Sequence, residues 1–450
     1  MTITKVLSDG TVYSRRKNVQ PFSAHPLEEY SLIVGEQKIE QLLNVSQPFK
    51  NLKLLELNST AQGGGVAEML YSSVPFLNML GIDVEWKIIN GHASYFECTK
   101  KLHNLLQGMK GTFTCEMKDI YRDQISDCVN NNIIDYAPNV VNVNDPQPML
   151  LCQLLKKKGE SWLWRCHIDI EPVIKSKNGL LSLINDWIAD YDAAIFSALR
   201  YVFPGWPVPK FIIPPFIDPL SEKNRELTQK EIDKVLFKYD IDPKIPIIAQ
   251  IGRFDPWKGI DRTIETFRQV RKDQNCQLII AGGSASDDPE SERILNNIIQ
   301  NTEDDEDIHV LNLSLSNRLE NHREVNALQR AASVIMQPST REGFGLVVTE
   351  ALWKSKPVIA GRVGGMAFQI QNGKTGHFYQ NSKATAEKIV FLLNNPIFAE
   401  SMGRKAKRYV QDHFLIVDRM IDYLMTIGIT METSNNQKKR SESITSFYPW

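Results

Sequence analysis

Two glutamates stand eight residues apart in the stretch REGFGLVVTEALW, which begins at Arg341. Glu342 opens a glycine-containing loop, and Glu350 lies in the helical pattern that follows. Neither belongs to a His/Cys pattern typical of a metal site. A carboxylate at the end of a strand can accept hydrogen bonds from two neighbouring hydroxyl groups, such as those of a sugar ring. The alternative roles are a loop cap for Glu342 and a favourable helix-dipole charge for Glu350.

Backbone amides and two basic side chains are suited to binding an anion. Gly343 and Gly345 precede the predicted helix, where free N–H groups and the helix dipole attract oxygen atoms and negative charge. Earlier in the chain, IGRFDPWKG follows a predicted strand and carries Arg253 and Lys258 on either side of a turn. Two cations at the carboxyl end of a strand can neutralise a diphosphate. A solvated turn with ordinary surface charges explains this stretch alone equally well.

A third stretch, AQGGGVAEML, places three glycines between a predicted strand and a predicted helix. Glycine lets backbone N–H groups approach an anion closely, and a helix start favours negative charge. The spacing matches neither the dinucleotide-binding fingerprint nor the phosphate-binding P-loop. A tight turn between strand and helix is an equally good explanation, so both interpretations stay open for this stretch alone.

The composition limits the classes of protein that fit the sequence. The chain has 450 residues, which predicts two domains. Its 52 Lys and Arg and 53 Asp and Glu give a net charge of -1, and hence no drive toward nucleic acid or an anionic membrane. The six cysteines form no CxxC pair, which favours buried thiols over a zinc or redox site. The absence of a signal-like start and of any long apolar stretch predicts a cytoplasmic protein without membrane contact.

Short apolar segments alternate with helical patterns along most of the chain. Strands are predicted at KLLELNS, VEWKIIN, NVVNVND, WLWRCHID, DAAIFSA, PIIAQIGRF, QLIIAGGS, HVLNLSL, SVIMQPS and PVIAGRV. Strands separated by helices in this way predict parallel sheets and an α/β fold. Between the fifth and sixth segments, residues 204–219 contain six prolines, which predicts a link between domains rather than a long helix or a central strand.

Two parallel-sheet domains are therefore predicted, at residues 1–210 and 216–410. A helix at about 412–429 is predicted to pack back on the first domain, and residues 430–450 are predicted to form a polar tail. In such folds ligands bind beyond the carboxyl ends of the strands. The expected site is a cleft between two facing domains.

The motifs GRFDPWKG and REGFGLVVTEALW, in this order, resemble those of the retaining nucleotide-sugar glycosyltransferases of family 4. The stretches NSTAQGGGVAEML, NDPQP, WRCHID, IPPFIDPLSEKNREL, REVNALQRAA and GKTGHF narrow the resemblance to the trehalose glycosyltransferring synthases. The likeness extends from about Lys53 to about Leu424. It implies the GT-B fold, in which two Rossmann-like domains face an interdomain cleft. It also implies an enzyme that joins glucose from a nucleoside diphosphate glucose to free glucose.

The resemblance implies a role for the residues of these motifs. Glu342 is expected to bind hydroxyl groups of the donor sugar and Glu350 the ribose. Arg253 and Lys258 are expected to neutralise the diphosphate, and His167 matches a family histidine near the C6 hydroxyl of the donor. The other residues expected to bind donor or acceptor are Gly64, Gly65, Asp145, Asp169, Gly343, Phe344, Gly345 and Leu346.

Two features depart from the resemblance, and both concern the acceptor side. Asn144 stands before DPQP, where many relatives carry histidine, and IFSALRYVFPGW differs from the corresponding segment of the synthases. The sequence shows no obvious nucleophile for a glycosyl-enzyme, and the resemblance favours direct attack by the acceptor from the leaving-group face.

The resemblance implies ADP-, UDP- or GDP-glucose as donor, a small sugar as acceptor and no essential or tightly bound metal. Asp-x-Asp patterns occur at 190–192, 240–242 and 305–307, and they are predicted to be structural rather than metal ligands. A homo-oligomer is compatible with the sequence. Nothing in the motifs specifies the nucleotide base.

Two further functions remain open at this stage. A trehalose phosphorylase, or another family 4 transferase with a different acceptor, would use the same donor-side motifs. A sugar-nucleotide-binding regulator without turnover is disfavoured because Arg253, Lys258, Glu342 and Glu350 are all present.

Overall fold

The computed structural model of the chain describes residues 4–6, 12–14, 24–61, 64–89, 91–176, 179–283, 289–435 and 444–447. The chain divides into two compact units. The N-terminal unit comprises Met1–Pro215 and Ile416–Trp450, and the C-terminal unit comprises Phe216–Leu415. No helix in the described part of the chain combines the length and apolar character that a membrane span requires.

The strands are numbered in chain order. They are β1 (Thr4–Val6), β2 (Val12–Ser14), β3 (Lys53–Asn58), β4 (Asp83–Ile88), β5 (Val140–Asn144), β6 (Ser161–Cys166), β7 (Ala193–Phe196), β8 (Lys210–Ile212), β9 (Ile247–Ile251), β10 (Gln277–Gly282), β11 (Ile308–Asn312), β12 (Val334–Gln337), β13 (Val358–Ala360), β14 (His377–Phe378) and β15 (Ile444–Ser446).

The α-helices are numbered in the same way. They are α1 (Leu27–Val34), α2 (Glu36–Ser46), α3 (Gly65–Met79), α4 (Ala93–Leu106), α5 (Cys115–Asn130), α6 (Leu151–Leu155), α7 (Glu171–Ser176), α8 (Leu180–Ile188), α9 (Gln229–Lys238), α10 (Ile260–Val270), α11 (Pro289–Thr302), α12 (Arg318–Ala331), α13 (Leu346–Trp353), α14 (Met366–Gln369), α15 (Ser382–Asn394), α16 (Pro396–His413) and α17 (Ile416–Asn435).

Seven strands form the large sheet of the N-terminal unit, in the order β15-β8-β7-β6-β5-β3-β4. Every neighbouring pair is parallel. Strands β5 and β6 are buried at each residue, as expected for parallel strands with both faces covered. From β3 the chain adds β4 on one side and then β5 on the other. The direction of strand addition therefore reverses between β3 and β5.

Helix α17 completes the N-terminal unit and packs against α2, α3 and β6. Its buried apolar side chains recur every three or four residues, which places them on the face that meets the unit. They include Val417, Met420, Ile421 and Leu424.

Six parallel strands form the sheet of the C-terminal unit, in the order β11-β10-β9-β12-β13-β14. The chain adds β10 and β11 on one side of β9, and then crosses to β12 on the other side. Strands β9, β10 and β12 are buried throughout. Helix α10 contributes Ile260, Ile264 and Phe267 to the core from one of its faces. The direction of strand addition thus reverses between β9 and β12.

The predicted α/β class with two parallel sheets is confirmed. The proline-rich stretch differs from the prediction, because Lys210–Ile212 forms β8, which pairs with β7 on one side and β15 on the other. These three residues include no proline, so their N–H groups are available to the ladder. Pro209 and Pro214 lie outside the strand.

Gly35, with a φ of 86°, separates α1 from α2. The C-terminal end of the chain also differs from the prediction. Helix α17 continues to Asn435 rather than ending near 429, and Thr430 extends its buried face. Part of the predicted polar tail, Ile444–Ser446, forms β15 against the free edge of β8.

Candidate active site

Two loops meet at the point where the direction of strand addition reverses in the C-terminal sheet. Strands β9 and β12 are parallel neighbours, so the loops that follow them leave the sheet at the same edge. The loop after β9 carries Arg253 and Lys258, and the loop after β12 carries Glu342. Open parallel sheets bind ligands at this reversal.

The turn after β9 is fixed by its own polar groups. Asp255 Oδ1 accepts a hydrogen bond from the Trp257 N–H at 2.9 Å and caps the 3₁₀ turn Pro256–Lys258. Gly259 follows with a φ of 67°, and a Cβ atom there would lie 2.4 Å from the Pro338 carbonyl oxygen. Only glycine meets both conditions, so the turn is held tightly against the neighbouring strand.

Lys258 and Glu342 form an ion pair across the two loops. Lys258 Nζ donates to Glu342 Oε2 at 2.5 Å, and the two side chains retain 18% and 14% exposure. The Thr340 N–H also donates to the Trp257 carbonyl at 2.8 Å and so joins the loops through the backbone. The cation and the carboxylate singled out in the sequence therefore belong to one site.

The glycine-containing loop presents mainly backbone groups. Gly345 adopts a φ of 84° and precedes α13, whose first residue is Leu346. The Val348 N–H donates to the Gly345 carbonyl at 2.9 Å. The amides of Leu346 and Val347 belong to the first turn of the helix, where N–H groups have no partner within the helix. The Phe344 side chain is buried and serves packing. The Gly343 carbonyl accepts from the Gly365 N–H at 2.8 Å, which fixes the path of the loop.

Glu350 lies in α13 and is only 3% exposed. Its Oε1 pairs with Lys223 Nζ at 3.0 Å, whereas Oε2 has no hydrogen-bond partner among the residues that the structure describes. One turn later, Lys354 Nζ donates to the Glu350 carbonyl at 3.3 Å and to Asn224 Oδ1 at 3.1 Å. Burial lowers the pKa of Lys354 well below its usual value, although the Glu350 charge opposes this shift. Oε2 therefore keeps its capacity to accept a hydrogen bond.

Arg253 is more exposed than Lys258, Glu342 or Glu350. Its side chain is 58% exposed and contacts Asp255 Oδ2 at 3.4 Å. An exposed guanidinium with such a long contact can turn toward an anion and bind two of its oxygen atoms. Arg253 and Lys258 thus supply two positive charges at the carboxyl end of one strand.

In the N-terminal unit, the loop after β3 begins a helix at Gly65. Gly64 precedes it with a φ of 87°, a conformation that favours glycine. Gln62 and Gly63, which belong to the same glycine stretch, lie outside the described residues. The predicted pair Gly64 and Gly65 therefore occupies a helix start at the reversal of this sheet.

Asp145 follows β5 and adopts a φ of 62°. Its Oδ1 accepts a hydrogen bond from the His167 backbone N–H at 2.8 Å, which joins the ends of β5 and β6. Burial raises the pKa of Asp145 to about 7, while that hydrogen bond and the Arg165 charge oppose the rise. A carboxyl group with such a pKa can be protonated near neutral pH.

His167 follows β6, and its side chain is buried. Its Nε2 lies 2.9 Å from Asn144 Oδ1, and its Nδ1 has no hydrogen-bond partner within the described part of the chain. Burial and, secondarily, the Arg165 charge lower the pKa of His167 well below its usual value. Asp169 has a different role, because its Oδ1 accepts from the Glu171 N–H at 3.0 Å at the start of α7.

Glu56 is a residue that the sequence analysis did not identify. It lies in the middle of β3, is buried, and accepts hydrogen bonds from Asn142 and Asn144 through Oε2 and from Tyr423 through Oε1. Burial raises the pKa of Glu56, and these hydrogen bonds oppose the rise. The sequence feature that could have identified Glu56 is that it is the only acidic residue in the leucine-rich segment KLLELN. Its partners lie 86 to 367 residues away, which no local pattern reveals.

The Asp-x-Asp motifs hold structural contacts. Asp192 pairs with Lys156 at 2.8 Å, Asp242 accepts from a nearby backbone N–H, and Asp305 pairs with Arg268 at 2.6 Å. Across the described residues, no three His, Cys, Asp or Glu side chains form a group that could hold a metal ion. None of the six cysteines forms a disulfide, and all but Cys115 are buried.

Comparison with known proteins agrees with this architecture. A family model described as "Trehalose synthase, N-terminal domain" matches residues 56–203, and one described as "Glycosyl transferases group 1" matches residues 231–409. The trehalose synthase of Pyrococcus horikoshii is 42% identical over 420 residues, which cover 91% of this chain and 99% of that protein. The trehalose phosphorylase of Grifola frondosa is 28% identical, and the match covers 86% of this chain and 58% of that protein.

Among solved structures, a sucrose-phosphate synthase from Thermosynechococcus elongatus superposes with a TM-score of 0.65 at 17% sequence identity, covering 86% of this chain and all of that one. The chain is therefore a glycosyltransferase with the GT-B fold. Within that class, it belongs to the trehalose synthase family.

Proposed function

We propose that this protein transfers glucose from a nucleoside diphosphate glucose to free glucose, with retention of configuration, and so forms trehalose. The observation that carries the proposal is the 42% identity, over nearly the whole chain, to a protein named trehalose synthase. The arrangement of charged and hydrogen-bonding groups in each unit supports it.

The C-terminal unit binds the donor in this proposal. Arg253 and Lys258 neutralise the diphosphate, together with the amides at the start of α13. Lys258 lies on a turn fixed by Asp255 and Gly259, whereas the exposed Arg253 side chain turns toward the diphosphate. Fixed positive groups are most effective where charge develops, and here that is the departing diphosphate.

Two glutamates orient the donor. Glu342 binds hydroxyl groups of the hexose, since it stands beside Lys258 and its side chain keeps 14% exposure. Glu350 binds the ribose through Oε2, which otherwise lacks a donor among the described residues. Lys223 holds the other oxygen of Glu350 and fixes the carboxylate in place. Neither glutamate attacks the sugar; both position it.

The N-terminal unit binds hexose hydroxyls. His167 offers a buried nitrogen acceptor, Asp145 a carboxyl group with a raised pKa, and Gly64 and Gly65 the backbone at the start of α3. These groups are neutral or easily neutralised, in contrast with the cations of the C-terminal unit. Such a set suits an uncharged sugar better than a phosphate.

The proposed reaction breaks the bond between the anomeric carbon and the diphosphate oxygen. The acceptor hydroxyl forms a new bond to that carbon on the same face. Its proton passes to the departing phosphate oxygen, so the products are trehalose and the nucleoside diphosphate. No enzyme nucleophile is required, and Arg253 and Lys258 stabilise the leaving group.

A screen of donors and acceptors tests this function. Purified protein is incubated with ADP-, UDP- or GDP-glucose and with glucose, glucose 6-phosphate or phosphate as separate acceptors, and products are identified by NMR. We expect trehalose from glucose with at least one donor. Absence of disaccharide with every donor, together with intact nucleotide binding, would support a binding protein instead.

A second candidate is phosphorolysis, because the chain also matches a protein named trehalose phosphorylase over 86% of its own length. In that case trehalose and phosphate would yield a glucose phosphate and glucose without any nucleotide. The lower identity of 28% makes this the weaker candidate. The phosphate arm of the screen, run with trehalose in the absence of nucleotide, separates the two reactions.

A further inference from the structure

Asn144 connects Glu56, in the middle of the N-terminal sheet, to His167. Its Nδ2 donates to Glu56 Oε2 at 2.9 Å and to the Leu57 carbonyl at 3.2 Å. A backbone carbonyl can only accept, so the nitrogen of the amide must face β3. The amide oxygen then faces His167, whose Nε2 lies 2.9 Å away.

This orientation decides where the proton of the imidazole lies. An amide oxygen can only accept a hydrogen bond, so Nε2 of His167 must carry a hydrogen atom. In the neutral ring, Nδ1 then keeps its lone pair. His167 is buried, and Nδ1 has no partner among the described residues. Buried acceptors normally have a donor, so Nδ1 is a site at which a ligand can donate a hydrogen bond.

We propose that Glu56 and Asn144 are positioning residues that hold His167 in the Nε2–H tautomer, so that Nδ1 accepts a hydrogen bond from a hydroxyl group of the bound hexose. The identity of the ligand rests on the proposed function. The tautomer rests only on the hydrogen bonds within the N-terminal unit.

The surroundings favour a neutral ring. Burial and the Arg165 charge both lower the pKa of His167. Asp145 contacts the backbone N–H of His167 rather than its ring. The charged and titratable groups that lie around this region are Glu56 on β3, Asp145 after β5, Arg165 on β6, Asp169 before α7, and Arg419 and Tyr423 on α17.

The direct test is NMR of the full-length chain with ¹⁵N-labelled histidine side chains. His167→Gln identifies the resonances by their loss. We expect a protonated Nε2, an unprotonated Nδ1 and no titration between about pH 5.5 and pH 8. Addition of trehalose with UDP shifts the Nδ1 resonance, because a hydroxyl then donates to it. A protonated Nδ1, or an Nδ1 resonance that does not move at saturating ligand, would overturn the proposal.

Variants of Asn144 test the positioning role. In Asn144→Asp a carboxylate faces Nε2, and the added negative charge raises the pKa of His167. An imidazolium has no acceptor for the hydroxyl, so activity then falls about tenfold for each pH unit below that pKa. Asn144→Ala serves if the aspartate variant does not fold. It removes the amide oxygen that holds the proton on Nε2, so we expect a mixture of the Nε2–H and Nδ1–H tautomers. If the folded variants keep the wild-type tautomer and pH profile, Asn144 does not position His167.

Tyr423→Phe is the matched control. It removes one hydrogen bond from Glu56 but leaves both contacts of the Asn144 amide in place. We expect reduced stability with the wild-type tautomer and pH profile. A change of tautomer in this variant would show that general loosening of the unit, rather than Asn144, controls the ring. Failure of sugar transfer with an unchanged tautomer would reject the proposed function alone.

Discussion

The two units place functional groups at the same position in their sheets but use different chemistry. In the C-terminal unit, the reversal between β9 and β12 carries accessible charges, with Lys258 paired to Glu342 and Arg253 exposed. In the N-terminal unit, the reversal between β3 and β5 leads to a buried hydrogen-bonded chain from Glu56 through Asn144 to His167. Exposed cations suit a diphosphate, whereas a fixed neutral acceptor suits a hydroxyl.

The comparison also teaches how each group is held in place. Ion pairs between loops can be exchanged for contacts with a charged ligand, because water screens both partners partly. A buried network cannot be exchanged in this way, since each of its groups would be left without a partner. We therefore expect changes in the C-terminal cluster to affect turnover mainly, and changes in the N-terminal cluster to affect stability as well.

Lys258→Ala is expected to have the largest effect. It removes a fixed positive charge from the leaving group, and loss of such a group typically costs about 3 kcal/mol, or a hundredfold or more in kcat. Steady-state kinetics measure this loss. Lys244→Ala, at an exposed lysine of the same unit, is the matched control and should match the wild type. Comparable kcat values for Lys258→Ala and the control would remove Lys258 from the site.

Glu342→Gln is expected to keep the fold and lose most turnover. The amide retains the shape of the side chain but loses an acceptor and the charge beside Lys258, at a cost of about 1.5–3 kcal/mol. The readouts are kcat and the midpoint of thermal unfolding. A near-normal kcat would show that Glu342 does not contact the sugar.

Glu56→Leu is expected to act on stability. It removes the carboxylate that accepts from Asn142, Asn144 and Tyr423, and within the described residues only Asn144 keeps a second acceptor, the Leu57 carbonyl. The loss should cost about 3 kcal/mol. Glu56→Gln keeps one acceptor oxygen and should cost about 1 kcal/mol. Urea unfolding measures both. Equal stability of Glu56→Leu and the wild type would contradict the importance of this buried network.

The pH dependence of stability tests Asp145. Its folded pKa of about 7 lies above the usual value, so the folded state holds the proton more tightly than the unfolded state does. Stability contributed by this group is present at low pH and is lost as the pH rises toward 7. Asp145→Asn should therefore be more stable than the wild type at pH 8, by up to about 4 kcal/mol, and should lose this advantage near pH 4. Parallel stability curves for the two proteins would show that the pKa is not raised.

Removal of divalent metal is expected to have the smallest effect. The positive charge at the proposed donor site comes from Arg253 and Lys258, and the Asp-x-Asp residues hold structural partners. Activity should be largely unchanged in excess EDTA. A loss that Mn²⁺ restores would show that a metal ion assists the leaving group.

Much of the fold follows from the sequence because apolar segments at regular spacing determine parallel strands. Strands β3, β5, β6, β9, β10 and β12 lie where these segments predict them. Strand β8 was missed because six prolines surround it, although Lys210–Ile212 itself contains none. The position of α17 depends on contacts with α2 and α3, which lie far away in the chain.

The site was only partly predictable, because some of its residues act through partners that lie far away in the chain. Motif spacing identified Lys258 and Glu342, and the structure brings them together. Glu56 and Asn144 act through partners on other strands, and sequence spacing carries no information about sheet register. Lys223, which holds Glu350, comes from a loop more than a hundred residues earlier.

The most direct test of the central claim is the product formed from unlabelled nucleoside diphosphate glucose and glucose labelled with ¹³C at the anomeric carbon, followed by NMR. The account predicts an α,α-linked disaccharide with the label in one of its two anomeric carbons and one nucleoside diphosphate released per disaccharide. A β linkage, a labelled glucose phosphate, or nucleotide release without a disaccharide would contradict it.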